Sequence, residues 1–272
     1  MPGLRRAVTG GAPISRDDLR AFRQAAPAAE VWVLYGSTEV EPIAHIEASG
    51  VLSAASPESS DPEWLDEGVN VGHIDSGLRS RFLKIRKEPI PPLPSEEAWR
   101  ELEVRPGEVG ELVVAGEHVC RDYFNNAEAF ARAKIVDHEG VVWHRTGDLG
   151  RLDEQGRLRI VGRIHNVISR QGKHLFPVRA EILLKRLPFV QQSAFLSLPD
   201  ANLGERAVCV VTPKTAEPSQ HVTWEEEIRR IFAKNGIPVD DVVFFAQIPM
   251  DPRHHSKVEY DLLRQDLRKE ER

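Results

Sequence analysis

The run from Val141 to Val161 restricts the fold more than any other part of this 272-residue chain. Val141 to His144 is apolar and β-prone, and Arg157 to Val161 alternates polar and apolar residues. Asp153-Glu154-Gln155-Gly156 between them is a turn signal, so an antiparallel hairpin is expected. Arg145-Thr146-Gly147-Asp148 then falls at the end of the first strand, where a glycine lets the backbone turn and leaves a carboxylate at the bend. A fixed carboxylate there can accept two hydrogen bonds from a vicinal diol such as a ribose. A Gly-Asp pair by itself more often only caps a turn, and the weighting changes with the motifs around it.

The amino-terminal part reads as strand, glycine turn, helix, strand and polar turn. Leu4 to Val8 is a short strand entering Thr9-Gly10-Gly11-Ala12-Pro13, where two glycines let a flat ligand approach the backbone. Ser15 is placed as the N-cap of a helix to about Ala25, with Asp17 and Asp18 in its first turn. Val31 to Leu34 reads as a strand buried on both faces, ending in Tyr35-Gly36-Ser37-Thr38-Glu39. Ligands of parallel sheets bind at such carboxyl ends. A hydroxyl beside a carboxylate, as in Thr38-Glu39, suits a phosphate oxygen and a divalent cation together. A polar loop without a ligand is the plainer reading of that pair alone.

Ser53 to Gly68 reads as an exposed loop. The short strands from 69 to 162 suggest a small antiparallel barrel or sandwich. Beyond Arg163 the pattern changes to a compact α+β unit. It has an amphipathic helix at Val178 to Leu187, strands at Ser193 to Leu198 and Ala207 to Thr212, and a helix begun by a Thr223/Glu226 capping box. A strand at Val242 to Ala246 and a charged final helix from Tyr260 to Lys269 complete it. The expected organisation is therefore an α/β segment over 1–52, a barrel-like subdomain over 53–162 and an α+β domain over 163–272.

The net charge of −6 gives no nucleic-acid footprint. No apolar run follows Arg5 and Arg6, and none is long enough to span a bilayer, so neither a signal peptide nor a membrane span is expected. Cys120 and Cys209 match no metal or redox spacing and read as buried thiols in a reducing, cytoplasmic setting. His254 and His255 lack a third ligand and do not read as a metal site.

Four stretches in order resemble the adenylate-forming superfamily, which includes acyl-CoA synthetases, luciferases and the adenylation domains of peptide synthetases. They are Gly10-Gly11-Ala12-Pro13, Tyr35 to Glu39, Arg145 to Leu149 with Gly162-Arg163, and Lys257 near the end. Gly107 to Asn125 looks like the family's intervening motif. Val119 to Asn125, Ala131 to Ile135 and Asp251 to Lys257 lean toward fatty-acyl ligases and the β-lactone synthetases of olefin biosynthesis. The resemblance implies that a carboxylic acid attacks the α-phosphate of ATP, giving an acyl-adenylate and pyrophosphate, with Mg²⁺ as cofactor. It implies that Lys257 bridges the acyl carboxylate and the α-phosphate, Thr38 binds that phosphate and Glu39 holds Mg²⁺. Asp148 would take the ribose hydroxyls with Arg163 in support, and Gly10, Gly11 and Ala12 would sandwich the adenine with the Tyr35 ring.

It further implies a rotating carboxyl-terminal domain hinged at His165, where the family usually has Asp or Lys. The acyl acceptor would be coenzyme A, a carrier protein or an internal hydroxyl. Ser256 replaces the usual glycine before the terminal lysine, and His174 stands where an arginine is common. The family's phosphate loop lies upstream of its Gly-Gly-Ala-Pro motif, so the chain is expected to be the carboxyl half of a ligase, inactive without a complementary amino-terminal half. A non-catalytic nucleotide-binding or regulatory module is the alternative.

Overall fold

The computed structural model describes residues 3–11, 14, 16–53, 68–252 and 258–270. The chain divides into two compact units, Met1–His165 and Asn166–Arg272.

The first unit opens with β1 (Arg6–Gly10), α1 (Arg16–Ala25), β2 (Glu30–Ser37), β3 (Val40–Glu47) and α2 (Ala48–Ser53). β1 and β2 are parallel, and Gly10 sits opposite Leu34. A Cβ on Gly10 would lie 2.4 Å from the Leu34 carbonyl oxygen, so the strand pairing itself requires glycine there. Along β2, Val31 and Val33 are buried while Trp32 and Leu34 are half-buried. The expectation of a strand buried on both faces is thus corrected: only one face is covered. Leu19 of α1 and Ala48 and Val51 of α2 pack onto that face. Burying Leu19 contributes roughly 2 kcal/mol.

β4 (Val69–Ile74), β5 (Leu78–Leu83), α3 (Glu96–Leu102), β6 (Gly110–Gly116), α4 (Ala127–Ala133), β7 (Lys134–Val136), β8 (Val142–Leu152) and β9 (Leu158–Arg163) follow. The strands run in the order β1-β2-β3-β4-β9-β8-β6-β5, with β7 beside β8. This replaces the expected small barrel. The antiparallel strands continue the opening sheet through β3 and β4, and no pairing among the described residues closes them into a ring. Pairing β3 with β4 satisfies an edge that a separate barrel would have left open.

The β8–β9 turn is the one expected from Asp153 to Gly156. Asp153 accepts from the amides of Gln155 and Arg157 and from the guanidinium Nε of both Arg157 and Arg159. At the far side of β8, Trp143 tilts against Trp99 of α3, and the Arg81 guanidinium lies 4.8 Å from the centroid of Trp99.

In the second unit, β10 (Ile168–Arg170) and β11 (Lys173–Leu175) form a hairpin, and β12 (Val190–Asp200) and β13 (Gly204–Pro213) a longer one. β14 (Asp241–Phe244) joins β13 in parallel. Helices α5 (Pro177–Leu184), α6 (His221–Lys234) and α7 (Tyr260–Glu270) complete the unit. Ala194, Leu196, Val208, Val210, Leu263 and Leu267 form a core under α7. Helix α6 starts at His221, with Gln220 as an N-cap that makes no side-chain bond, so the capping box expected at Thr223 and Glu226 does not start it.

Candidate functional site

The Arg145 to Asp148 motif lies inside β8, not at its end, and its shape comes from a bulge. Arg145 pairs with Val113 and Leu149 with Glu111, so Leu112 alone faces Thr146, Gly147 and Asp148. Bulges of this kind redirect side chains. Gly147 has φ +70, in the left-handed region where glycine is unstrained. The Thr146 hydroxyl donates to the Leu112 carbonyl at 2.8 Å and accepts from the Asp148 amide at 3.0 Å, pinning the bulge on both sides.

Arg145 is the buried anchor of this bulge. Its guanidinium donates to the Glu111 carboxylate through Nε and Nη2, and to the carbonyls of Glu88 and Arg86 at 2.8 Å each. Both side chains of the pair are nearly inaccessible, at 5% for Arg145 and 2% for Glu111. Burial holds the Glu111 carboxyl above its ordinary range even though Arg145 pulls the other way.

Asp148 is held from two directions. Its Oδ2 accepts from the Tyr35 hydroxyl at 2.7 Å, and its Oδ1 lies 3.0 Å from Arg163 Nε. Arg163 is its partner across the β8–β9 ladder. Burial, reinforced by the Asp148 charge, pushes the Tyr35 hydroxyl well above its ordinary range, so it stays a donor. Tyr35 and Arg163 thus reach different oxygens of the same carboxylate.

Thr38 and Glu39 are the two turn residues of the β2–β3 hairpin, closed by the Ser37–Val40 pair. Thr38 is exposed at the tip. The Glu39 carboxylate accepts from the Tyr123 hydroxyl at 3.0 Å, and its carbonyl accepts from the Cys120 amide at 2.7 Å. Burial raises the Glu39 pKa, but its own backbone amide, Tyr123 and His144 together bring it below the ordinary value, which keeps it ionised. Among the described residues no cluster of three His, Cys, Asp or Glu can hold a metal. A lone carboxylate can hold Mg²⁺ only together with substrate phosphates and water.

Three of the anticipated residues, Tyr35, Asp148 and Arg163, meet in one hydrogen-bonded set, while Glu39 is bonded to a different partner on the same hairpin that carries Tyr35. Gly10 and Gly11 lie at the end of β1. Ala12 and Lys257 lie outside the described residues. His165 is exposed in a short 3-10 turn, Ile164–Asn166. Cys120 is exposed, correcting the expectation that both cysteines are buried; Cys209 is buried. Tyr123 and Lys134 were not anticipated. Only the aromatic at Tyr123, inside the Gly107 to Asn125 motif, hinted at a role.

A family model described as AMP-binding enzyme matches residues 1–124. An olefin β-lactone synthetase of Xanthomonas campestris is 29% identical over 267 residues, covering 95% of this chain and 46% of that protein. A 4-coumarate–CoA ligase-like protein of Arabidopsis thaliana is 31% identical over 234 residues, covering 85% of this chain and 37% of that protein. Among solved structures, the amide bond synthetase McbA of Marinactinospora thermotolerans aligns with a TM-score of 0.70 at 24% identity, covering 96% of this chain and 47% of that one. ATP-bound MatB of Rhodopseudomonas palustris aligns with a TM-score of 0.70 at 22% identity, covering 97% and 46%; at these identities the likeness is one of fold. The chain belongs to the adenylate-forming superfamily of AMP-binding enzymes. It spans about half the length of the curated relatives it matches, 46% for the olefin β-lactone synthetase.

Proposed function

We propose that this chain takes part in ATP-dependent activation of a carboxylic acid through an acyl-adenylate, with Asp148 as the ribose-binding carboxylate. The observation that carries this reading is the bulge in β8, which aims Asp148 between Tyr35 and Arg163. A carboxylate held in this way is a suitable acceptor for the two hydroxyls of a diol. The Tyr35 ring, fixed through its hydroxyl, serves as a stacking surface for the adenine beside Gly10, Gly11 and Ala12. Thr38 and Glu39 at the hairpin tip face the α-phosphate and Mg²⁺, and the cation neutralises charge where two anions approach. Lys257 supplies a further mobile cation. His165 acts as the hinge of a mobile carboxyl-terminal domain, supported by the boundary between the two units falling just after it.

The acid is a fatty acid in this reading, and the acceptor is coenzyme A or an acyl carrier, supported by relatives named as acyl-CoA ligases and an olefin β-lactone synthetase. The full reaction is assigned to this chain together with a complementary amino-terminal portion. β1 ends the sheet order among the described residues, and its Val8 is 59% exposed, as suits an edge that receives a further segment. The alternative, a nucleotide-binding or regulatory module without catalysis, uses the same Asp148 site.

Titration with a non-hydrolysable acyl-adenylate analogue, followed by amide chemical shifts, tests the site. Shifts clustered on Tyr35, Thr38 and Gly147 and abolished by Asp148→Ala support it; shifts elsewhere or none refute it. Pyrophosphate exchange that appears only when the complementary portion is added distinguishes the catalytic reading from the alternative.

A further inference from the structure

A glutamate at the tip of a two-residue turn has three side-chain torsions free, and ordering them on binding costs entropy. Here the ordering is done in advance by groups outside the hairpin. The Tyr123 hydroxyl bonds Glu39 Oε1 at 3.0 Å, and the Cys120 amide bonds the Glu39 carbonyl at 2.7 Å. Both arms lead back to one buried ammonium. Lys134, 2% exposed, donates to the Cys120 carbonyl and lies 5.2 Å from the centroid of the Tyr123 ring. Lys134 is itself set in the sheet, opposite His144 in the β7–β8 pair. Among the described residues no carboxylate forms an ion pair with Lys134, so holding its ammonium here costs stability.

We infer that Tyr123 is the positioning residue for the Glu39 carboxylate and that Lys134 fixes Tyr123 and its loop for that task. This rests on the reading of Glu39 as the carboxylate that faces the cation. The two arms close a ring from Lys134 through the Tyr123 ring to the Glu39 side chain, and from Lys134 through Cys120 to the Glu39 backbone. Main chain and carboxylate are thereby fixed together, as a preorganised ligand requires. Burial, with Glu39 beside it, raises the Tyr123 hydroxyl's pKa, so it remains a donor.

The test uses the full chain and Mn²⁺ alone as the probe, read as paramagnetic broadening of the Thr38 and Cys120 amide signals. Tyr123→Phe removes one oxygen and keeps the ring over Lys134. It should raise the Mn²⁺ concentration for half-broadening about tenfold, the cost of ordering the released carboxylate on binding. Glu39→Asp keeps the charge but retracts it from Tyr123, and should cost a similar factor. The double variant should cost no more than either single one, with an unchanged melting transition. Unaltered broadening in Tyr123→Phe, while Glu39→Gln abolishes it, would overturn the positioning role and leave the reading of Glu39 standing. Unaltered broadening in Glu39→Gln would overturn both.

Discussion

Tyr35 donates its phenolic hydrogen bond to Asp148 Oδ2 at 2.7 Å, across 113 positions of sequence. The bond links the β2–β3 hairpin to the bulge in β8, and so joins the two polar motifs of the first unit through one contact. Each of the two candidate carboxylates receives one tyrosine hydroxyl from a different element, Asp148 from Tyr35 and Glu39 from Tyr123.

The bulge depends on Arg145. Arg145→Met would leave the Glu111 carboxylate buried without a partner and should destabilise the Met1–His165 unit by about 3–5 kcal/mol. Adding Glu111→Gln should recover part of that loss. Denaturant melts of the unit's transition measure both; a loss below about 1 kcal/mol would show that the pair is dispensable.

Gly147→Ala should cost about 1 kcal/mol from backbone strain alone. A Cβ there meets nothing within 4 Å, so no clash adds to the φ of +70. The same variant should weaken nucleotide binding by more than its stability loss explains, because a relaxed bulge no longer aims Asp148. Calorimetric titration with AMP alongside a thermal melt separates the two effects.

His144 gives the first unit an acid limit. It is 4% exposed, and burial with Lys134 beside it pushes the imidazole down to about 4, against attraction from Glu39. The unfolded chain therefore takes up this proton near the ordinary histidine value while the folded chain does not. Stability is complete above about pH 6.5 and falls as pH drops toward 4, by on the order of 3 kcal/mol in total. His144→Gln should flatten that slope between pH 6.5 and 4; an unchanged slope would place the acid sensitivity elsewhere.

What was legible in the sequence is what is encoded locally. The Asp153 to Gly156 turn, the polar turn at Thr38-Glu39 and most strands follow from short-range patterning. The first unit's open sheet was not legible, because β3 carries Pro42, which weakens a strand signal, and β3 is the strand that joins the two halves of the sheet. Arg145 read as part of a site motif, yet its donors are spent on Glu111 and backbone carbonyls that only the fold brings near. Nothing in the sequence marks Lys134 as a lysine that folds inward. Clamps such as Tyr123 on Glu39 join positions 84 residues apart and carry no local pattern.

The most direct test compares AMP with 2′-deoxy-AMP and 3′-deoxy-AMP by calorimetry on the wild-type chain, Tyr35→Phe and Asp148→Ala. The wild type should bind AMP about tenfold or more tightly than either deoxynucleotide, the value of a hydrogen bond to a charged acceptor. Tyr35→Phe should shrink that preference, and Asp148→Ala should erase it. Equal affinity for all three nucleotides in the wild type, or a preference that survives Asp148→Ala, would contradict the assignment of Asp148 to the ribose.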